Sequence, residues 1–146
     1  MTRLVGVVVV CLLAGCTQEA SGPAEIALGS DQCANCRMVI VSQTTAAQIV
    51  APGDEPTLFD EVGCLRDFLA HTPLQADAVA YVTDHRTGAW IDARRAVFTQ
   101  ARTATPMASG IIAHADAASR DTDPAARAGR PVTTVAILGG GAGETP

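Results

Sequence analysis

Thr57-Leu58-Phe59-Asp60-Glu61-Val62-Gly63-Cys64-Leu65-Arg66-Asp67-Phe68-Leu69 changes its period partway along. Thr57 to Phe59 reads as a short extended piece. From Glu61 to His71, the apolar residues Val62, Leu65, Phe68 and Leu69 recur at three- and four-residue spacings and form one stripe of a helix. Asp60 and Glu61 near the start suit the positive end of the helix dipole, and Pro73 lies beyond the other end. Upstream, Met38 to Val41 is β-branched and apolar, and Ala46 to Val50 reads as a second strand before the break at Pro52-Gly53-Asp54. Downstream, Val79 to Val82 is a strand, Thr87-Gly88 a turn, and Ala89-Trp90-Ile91 the return of a hairpin. Val97-Phe98 and Gly110-Ile111-Ile112 are short strands flanking a loop around Pro106-Met107. Asp116 to Arg127 is helical with an interruption at Pro124, and Val132 to Leu138 is a final strand. Strands and helices in this order imply an α+β domain, a small mixed sheet with two or three helices. No repeat is visible at the level of residue identity.

The N-terminus reads as an export signal. Thr2-Arg3 is a minimal basic start, and the apolar run Leu4 to Leu13, roughly ten residues, is too short for a permanent membrane span. It ends in Leu13-Ala14-Gly15-Cys16, which resembles the lipobox of bacterial lipoproteins. The expectation is a signal peptide over 1–15, a lipidated Cys16 and a flexible tether to residue 32 that is rich in Ala, Ser, Gly, Glu and Pro. A folded domain over 33–138 and a disordered glycine-rich tail over 139–146 would follow. Thr17 is not the aspartate that retains lipoproteins in the inner membrane, so the expected place is the periplasmic face of the outer membrane. The whole chain carries a formal charge of −5. It contains no lysine, which argues against nucleic acid and against a polybasic membrane grip; the membrane contact would be the lipid alone.

Beyond Cys16 three cysteines remain, Cys33, Cys36 and Cys64, an odd number that cannot close into a disulfide framework. In Cys33-Ala34-Asn35-Cys36-Arg37-Met38, two thiols and a thioether lie within six residues. Soft sulfur ligands of this kind select Cu(I), zinc or iron–sulfur over magnesium or calcium. Covalent haem attachment wants histidine after the second cysteine, where this chain has Arg37. Structural zinc usually draws on two close ligand pairs, and here the other candidates are the lone Cys64 and the scattered His71, His85 and His114. A thiol–disulfide oxidoreductase built on Cys33 and Cys36 is the harder rival, although reactive cysteines usually start a helix and Met38 to Val41 reads as strand. The two methionines beyond the leader, Met38 and Met107, favour copper. In extended chain Met38 and Cys36 share a face, and Met107 follows Pro106 in a loop. Cys64 reads as a buried inert thiol, His114 as a surface histidine, His71 as a helix C-terminal charge and Asp84-His85-Arg86 as solvated. No catalytic triad, paired-carboxylate set or phosphate loop is present.

Taken together, Cys33-x-x-Cys36-x-Met38, Phe59-Asp60-Glu61-Val62-Gly63-Cys64, Tyr81-Val82-Thr83-Asp84, Gly88-Ala89-Trp90-Ile91-Asp92-Ala93 and Thr105-Pro106-Met107 resemble, in this order, the NosL family. These are copper-binding lipoproteins that are accessory to nitrous oxide reductase. The resemblance covers about residues 33 to 138. It implies an α+β domain of two similar ββα-type halves and a lipid-anchored periplasmic metallochaperone rather than an enzyme. Its cargo would be Cu(I), passed to nitrous oxide reductase, to its assembly machinery or to another copper enzyme. Cys36 and Met107 would be the leading ligands, supported by Met38 and Cys33. Family members often carry glycine where this chain has Arg37, and glycine after Pro-Met where it has Ala108-Ser109.

Overall fold

The computed structural model describes residues 22–140, so the leader, Cys16 and its lipidation signal, and the tail from 141 lie outside the described residues. The described residues build two antiparallel sheets and three α-helices, an α+β fold with two small sheets in place of one. In the first sheet β1 (Ala47–Val50) runs between β2 (Thr57–Phe59) and β3 (Val79–Thr83), with β4 (Trp90–Asp92) beyond β3. Ala47 lies opposite Phe59 on one side and Val82 on the other. In the second sheet β5 (Val97–Gln100) runs between β6 (Ile111–His114) and β7 (Arg130–Val132).

The helices α1 (Val62–Leu69) and α2 (Ala117–Thr122) each follow the second strand of their half and precede the third. Each half is therefore a ββαβ unit with its first strand in the middle, and β4 and α3 (Thr134–Leu138) are additions. The likeness resides in topology, because each half meets the same burial demands with different side chains. That is why residue identity shows no repeat.

The main core lies between the first sheet, α1 and α3 and runs on into the second sheet through Phe98, Ile111 and Ala113. Val62, Leu65 and Leu69 turn the buried stripe of α1 inward, and Phe68 meets Phe59 with ring centroids 5.2 Å apart in a tilted pair. α3 replaces the strand expected over Val132 to Leu138; β7 ends at Val132. The Thr133 hydroxyl accepts from the Ala136 amide and caps a helical turn that buries Ile137 and Leu138. A helix buries this pair on one side, whereas strand alternation would send one of them to solvent.

Met38 to Val41 also departs from expectation. Only a single bridge joins Val39 to Gln32, and Ile40 is buried while Val39 and Val41 are exposed. Packing starts ahead of Cys33. The buried Gln48 side chain accepts from the Ala24 amide at 2.8 Å and donates to the Ala24 carbonyl at 3.0 Å, and Ile26 is buried. Among the described residues no helix is long and apolar enough to cross a membrane.

The two halves meet where β3 ends. Asp84, expected in solvent, is 1% exposed, because it is the acceptor that satisfies both sides of the junction. Its Oδ1 takes the amides of Arg86 and Thr87, and its Oδ2 takes the Ala115 amide and the Ser119 hydroxyl from the second half. Burial alone would raise this carboxyl, but the Ser119, Ala115 and Thr87 donors outweigh it and lower it from 3.8 to about 2. Asp84→Ala should cost about 3 kcal/mol or more in urea unfolding, since four donors lose a charged acceptor in a buried place. A lowered carboxyl stabilises the fold fully above pH 3.8 and loses that contribution as pH falls through about 2. Unfolding of the wild type should therefore show an acid-sensitive component in this window that the variant lacks.

Candidate metal centre

The end of β2 leads through Asp60 and Glu61 into α1, and both carboxylates are buried, at 2% and 1% exposure. Glu61 is the N-cap residue of α1, yet its side chain makes no capping bond. The Glu61 carboxylate instead accepts the Met107 amide at 3.1 Å. Asp60 is held by its backbone, whose carbonyl accepts from the Thr45 hydroxyl at 2.9 Å.

The cysteine loop closes on itself and on the sheet edge. The Cys33 amide donates to the Met38 carbonyl at 2.8 Å, the Arg37 amide to the Cys33 carbonyl at 2.9 Å, and the Ala34 amide to the Leu58 carbonyl of edge strand β2 at 2.8 Å. This last bond brings the loop to the start of α1. Cys64, in the first turn of that helix, comes up from the other side. The Sγ atoms of Cys33, Cys36 and Cys64 and a carboxylate oxygen of Asp60 all lie within 4.8 Å of one another. The Cys36 thiol donates to Asp60 Oδ2 at 3.3 Å, whereas Asp60 Oδ1 is buried without a partner. All three cysteines are free; Cys33 and Cys64 are buried and Cys36 is half-buried.

The loop carrying Met107 docks on the same helix end. Gly63 has no room for a Cβ, which would collide with Ser109 and with the Glu61 carboxylate. The Thr105 hydroxyl takes the Gly110 amide at 3.0 Å, and Gly110 itself turns at φ 64° against the Ala101 carbonyl. Met107 and Met38 are 47% and 49% exposed, so neither thioether is spent on filling the core.

Of the four metal ligands named from sequence, the fold brings Cys33 and Cys36 into one cluster, leaves Met38 exposed on the cysteine loop, and puts Met107 on the separate loop that bonds Glu61. Cys64 is buried as expected but belongs to the cluster, and Asp60 belongs with it. Asp60 looked like a helix-dipole residue because its place beside the thiols depends on the loop pairing with β2. The one hint in the sequence was the block Phe59 to Cys64 taken whole. His114 is fully buried and belongs to a different group, with His85 and Asp123.

Burial, Cys33 and Asp60 together push the Cys36 thiol from 9.0 up to about 11, against the Met38 backbone amide, which works the other way. Burial pushes Cys64 up as well, with Asp60 adding to it. Both thiols are therefore protonated at neutral pH. A nucleophilic redox cysteine needs the opposite environment. A soft cation entering the cluster would find three sulfurs at hand, and the orphaned Asp60 oxygen is free to take up a positive charge or a displaced proton. The donor set fits a thiophilic ion.

Residues 24–128 match the NosL family. No curated protein and no solved structure matches the chain.

Two residues that are not glycine adopt left-handed backbone among the described residues, Arg37 at φ 68° and Ala108 at φ 59°. They are the two positions where glycine was expected from the resemblance, and they follow Cys36 and Met107 directly. Left-handed backbone costs a side-chain-bearing residue on the order of 1–2 kcal/mol, partly offset by the extra unfolded-state freedom of glycine. Arg37→Gly and Ala108→Gly should each raise stability by roughly 0.5–1 kcal/mol in chemical unfolding. A loss of stability in both would show that neither turn is strained.

Proposed function

The chain belongs to the NosL family of copper-binding accessory proteins, and from that premise we propose that it is a lipid-anchored periplasmic carrier of Cu(I). It holds the ion for delivery to nitrous oxide reductase or the machinery that assembles it, and it is not an enzyme. The observation that carries this reading is the convergence of Cys33, Cys36, Cys64 and Asp60, with one exposed methionine on the cysteine loop and another on the loop bonded to Glu61. Sulfur donors without a hard-ligand cage favour Cu(I) over the divalent ions of the compartment.

Each residue has a separate task. Cys36, half-buried, is the thiol that a partner's ligands can reach first, and Asp60 holds it in place through the 3.3 Å hydrogen bond. Cys33 and Cys64 lie deeper and supply further sulfur. Met38 and Met107 offer neutral thioethers at the rim, where weak ligands can be exchanged one at a time. The lipid on Cys16 and the short segment after it keep this rim near the outer membrane, facing the periplasm.

Thiol–disulfide exchange through Cys33 and Cys36 is the weaker reading, because a thiol raised to about 11 is a poor nucleophile at neutral pH. Delivery to a different copper enzyme uses the same site and is separated by the identity of the acceptor. Copper transfer from the loaded chain to metal-free reductase, measured directly, supports the named recipient; retention of the metal removes it.

Competition with a chromogenic Cu(I) chelator under anaerobic conditions tests the site. One Cu(I) per chain is expected. Cys36→Ser should weaken binding by more than about a hundredfold, beyond what loss of a merely outer partner costs, with the far-ultraviolet circular dichroism unchanged. Met107→Leu keeps the apolar volume, so a fall in copper affinity at constant stability marks a ligand. Unchanged affinity in Cys36→Ser overturns the assignment.

The pH dependence follows from the raised thiols. Cu(I) capture expels a proton from each thiol it uses, so affinity should rise with pH and fall by about tenfold per pH unit per displaced proton on acidification. With Cys36 at about 11, that slope should persist through the neutral range. A flat profile between pH 6 and 8, roughly the range over which a single histidine titrates, would exclude protonated thiols as ligands.

A further inference from the structure

The seam between the halves carries a second convergence of ligand atoms, with a different chemistry. His85 follows β3, His114 ends β6 and Asp123 follows α2. A ring nitrogen of each histidine and a carboxylate oxygen of Asp123 lie within 4.8 Å of one another. His85 Nδ1 is 2.7 Å and His114 Nε2 3.0 Å from the same oxygen, Asp123 Oδ2. The two rings stand edge to face at 64° with centroids 6.2 Å apart, so both nitrogens address one point.

This is a built arrangement. His114 is fully enclosed, the Asp123 side chain is 7% exposed and the His85 side chain 19% exposed, so the group is reached from one side only. Its backbone is fixed on every arm. The His85 amide donates to the Ala113 carbonyl at 2.8 Å, β6 pairs along its length with β5, and Asp123 Oδ1 accepts the Ala125 amide at 2.8 Å. Arg86, next to His85, donates to Ser119. The His114 Nδ1 is buried and has no partner. Asp123 alone therefore holds the proton of that ring on Nε2, and an ion that takes the Asp123 oxygen frees Nε2 to turn its lone pair to the metal as the proton passes to Nδ1.

We propose that His85, His114 and Asp123 form a second metal site, for a borderline divalent cation such as Zn(II) or Co(II). Two imidazoles and one carboxylate with a position left open are a donor set such ions take, and no sulfur belongs to the group. The ion replaces the two hydrogen bonds to Asp123. Each ring turns a lone pair inward and carries its proton on the other nitrogen, and a water fills the open position on the His85 side. No electron moves. Because His85 belongs to the first half and His114 and Asp123 to the second, the bound ion ties the halves together. The inference is independent of the copper reading, which concerns the sulfur cluster.

The test follows the histidine ring nitrogens by NMR in the full reduced chain as Zn(II), and separately Co(II), neither of which oxidises thiols, is added under anaerobic conditions. The exposed His71 is the internal reference. One ion per chain beyond any held by the cysteines should perturb the nitrogens of His85 and His114 and leave those of His71 in place. His85→Gln keeps an N–H for Asp123 but removes a strong ligand. It should weaken that response by at least about tenfold, the smaller end of what even outer partners of a metal site contribute, with the circular dichroism unchanged. Response to either ion supports the site and identifies its preference. No response of His85 and His114 to either ion, or an equal response in His85→Gln, overturns the proposal. Zinc captured by the cysteines leaves these rings unmoved, so failure here is distinguishable from failure at the sulfur site.

Discussion

Asp60 and Glu61 leave the end of β2 side by side, and neither carboxylate reaches water. Burial of two adjacent acids is costly unless each finds donors, and the donors they find organise the molecule around them. Glu61 takes the amide of Met107 from a loop 46 residues away in sequence. Asp60 takes the Cys36 thiol from 24 residues upstream, and its carbonyl takes the Thr45 hydroxyl. The same junction starts α1, whose positive end favours negative charge and whose first turn supplies Cys64. The chain converges on one helix end because two buried carboxylates there require partners.

The sulfur cluster inherits its properties from that setting. Thiols next to a carboxylate and away from water keep their protons, so this is a place where a metal must displace hydrogen rather than find a waiting anion. Such an arrangement suits a soft ion better than it suits disulfide exchange. The exposed methionines carry thioethers, which have no charge and need no deprotonation. Backbone strain at Arg37 and Ala108 sits directly beside Cys36 and Met107, where loop shape decides which way a sulfur faces.

At the seam the same logic recurs with nitrogen and oxygen. Asp84 and Asp123 are both buried acids, both held at about 2 because N–H and O–H donors outweigh the effect of burial. Asp84 gathers backbone amides and a hydroxyl, and it is fully occupied. Asp123 gathers two imidazoles that are themselves metal ligands in type. Two acids of similar burial thus have different chemical prospects, set by what donates to them.

Much of the fold was legible in the chain. β1, β2, β3 and α1 lie close to where their periodicity put them, and the hairpin onto Trp90 and the loop around Pro106-Met107 were readable from turn residues and β-branched runs. The last segment was not, since the apolar run before Leu138 suits strand and helix equally until Thr133 caps it against α1. Nor were Asp84 and His114, because local patterning cannot tell an acid in a turn from an acid that a distant segment will cover. By itself the sequence determined the α+β class, the pairing of Cys33 with Cys36 in one loop and the family likeness, all of which rest on contacts close along the chain. Only the tertiary structure decided that Cys64 and Asp60 join those thiols, and that His85 meets His114 and Asp123. Those meetings depend on loops closing over tens of residues, and they are stabilised by buried polar groups whose partners no local period encodes.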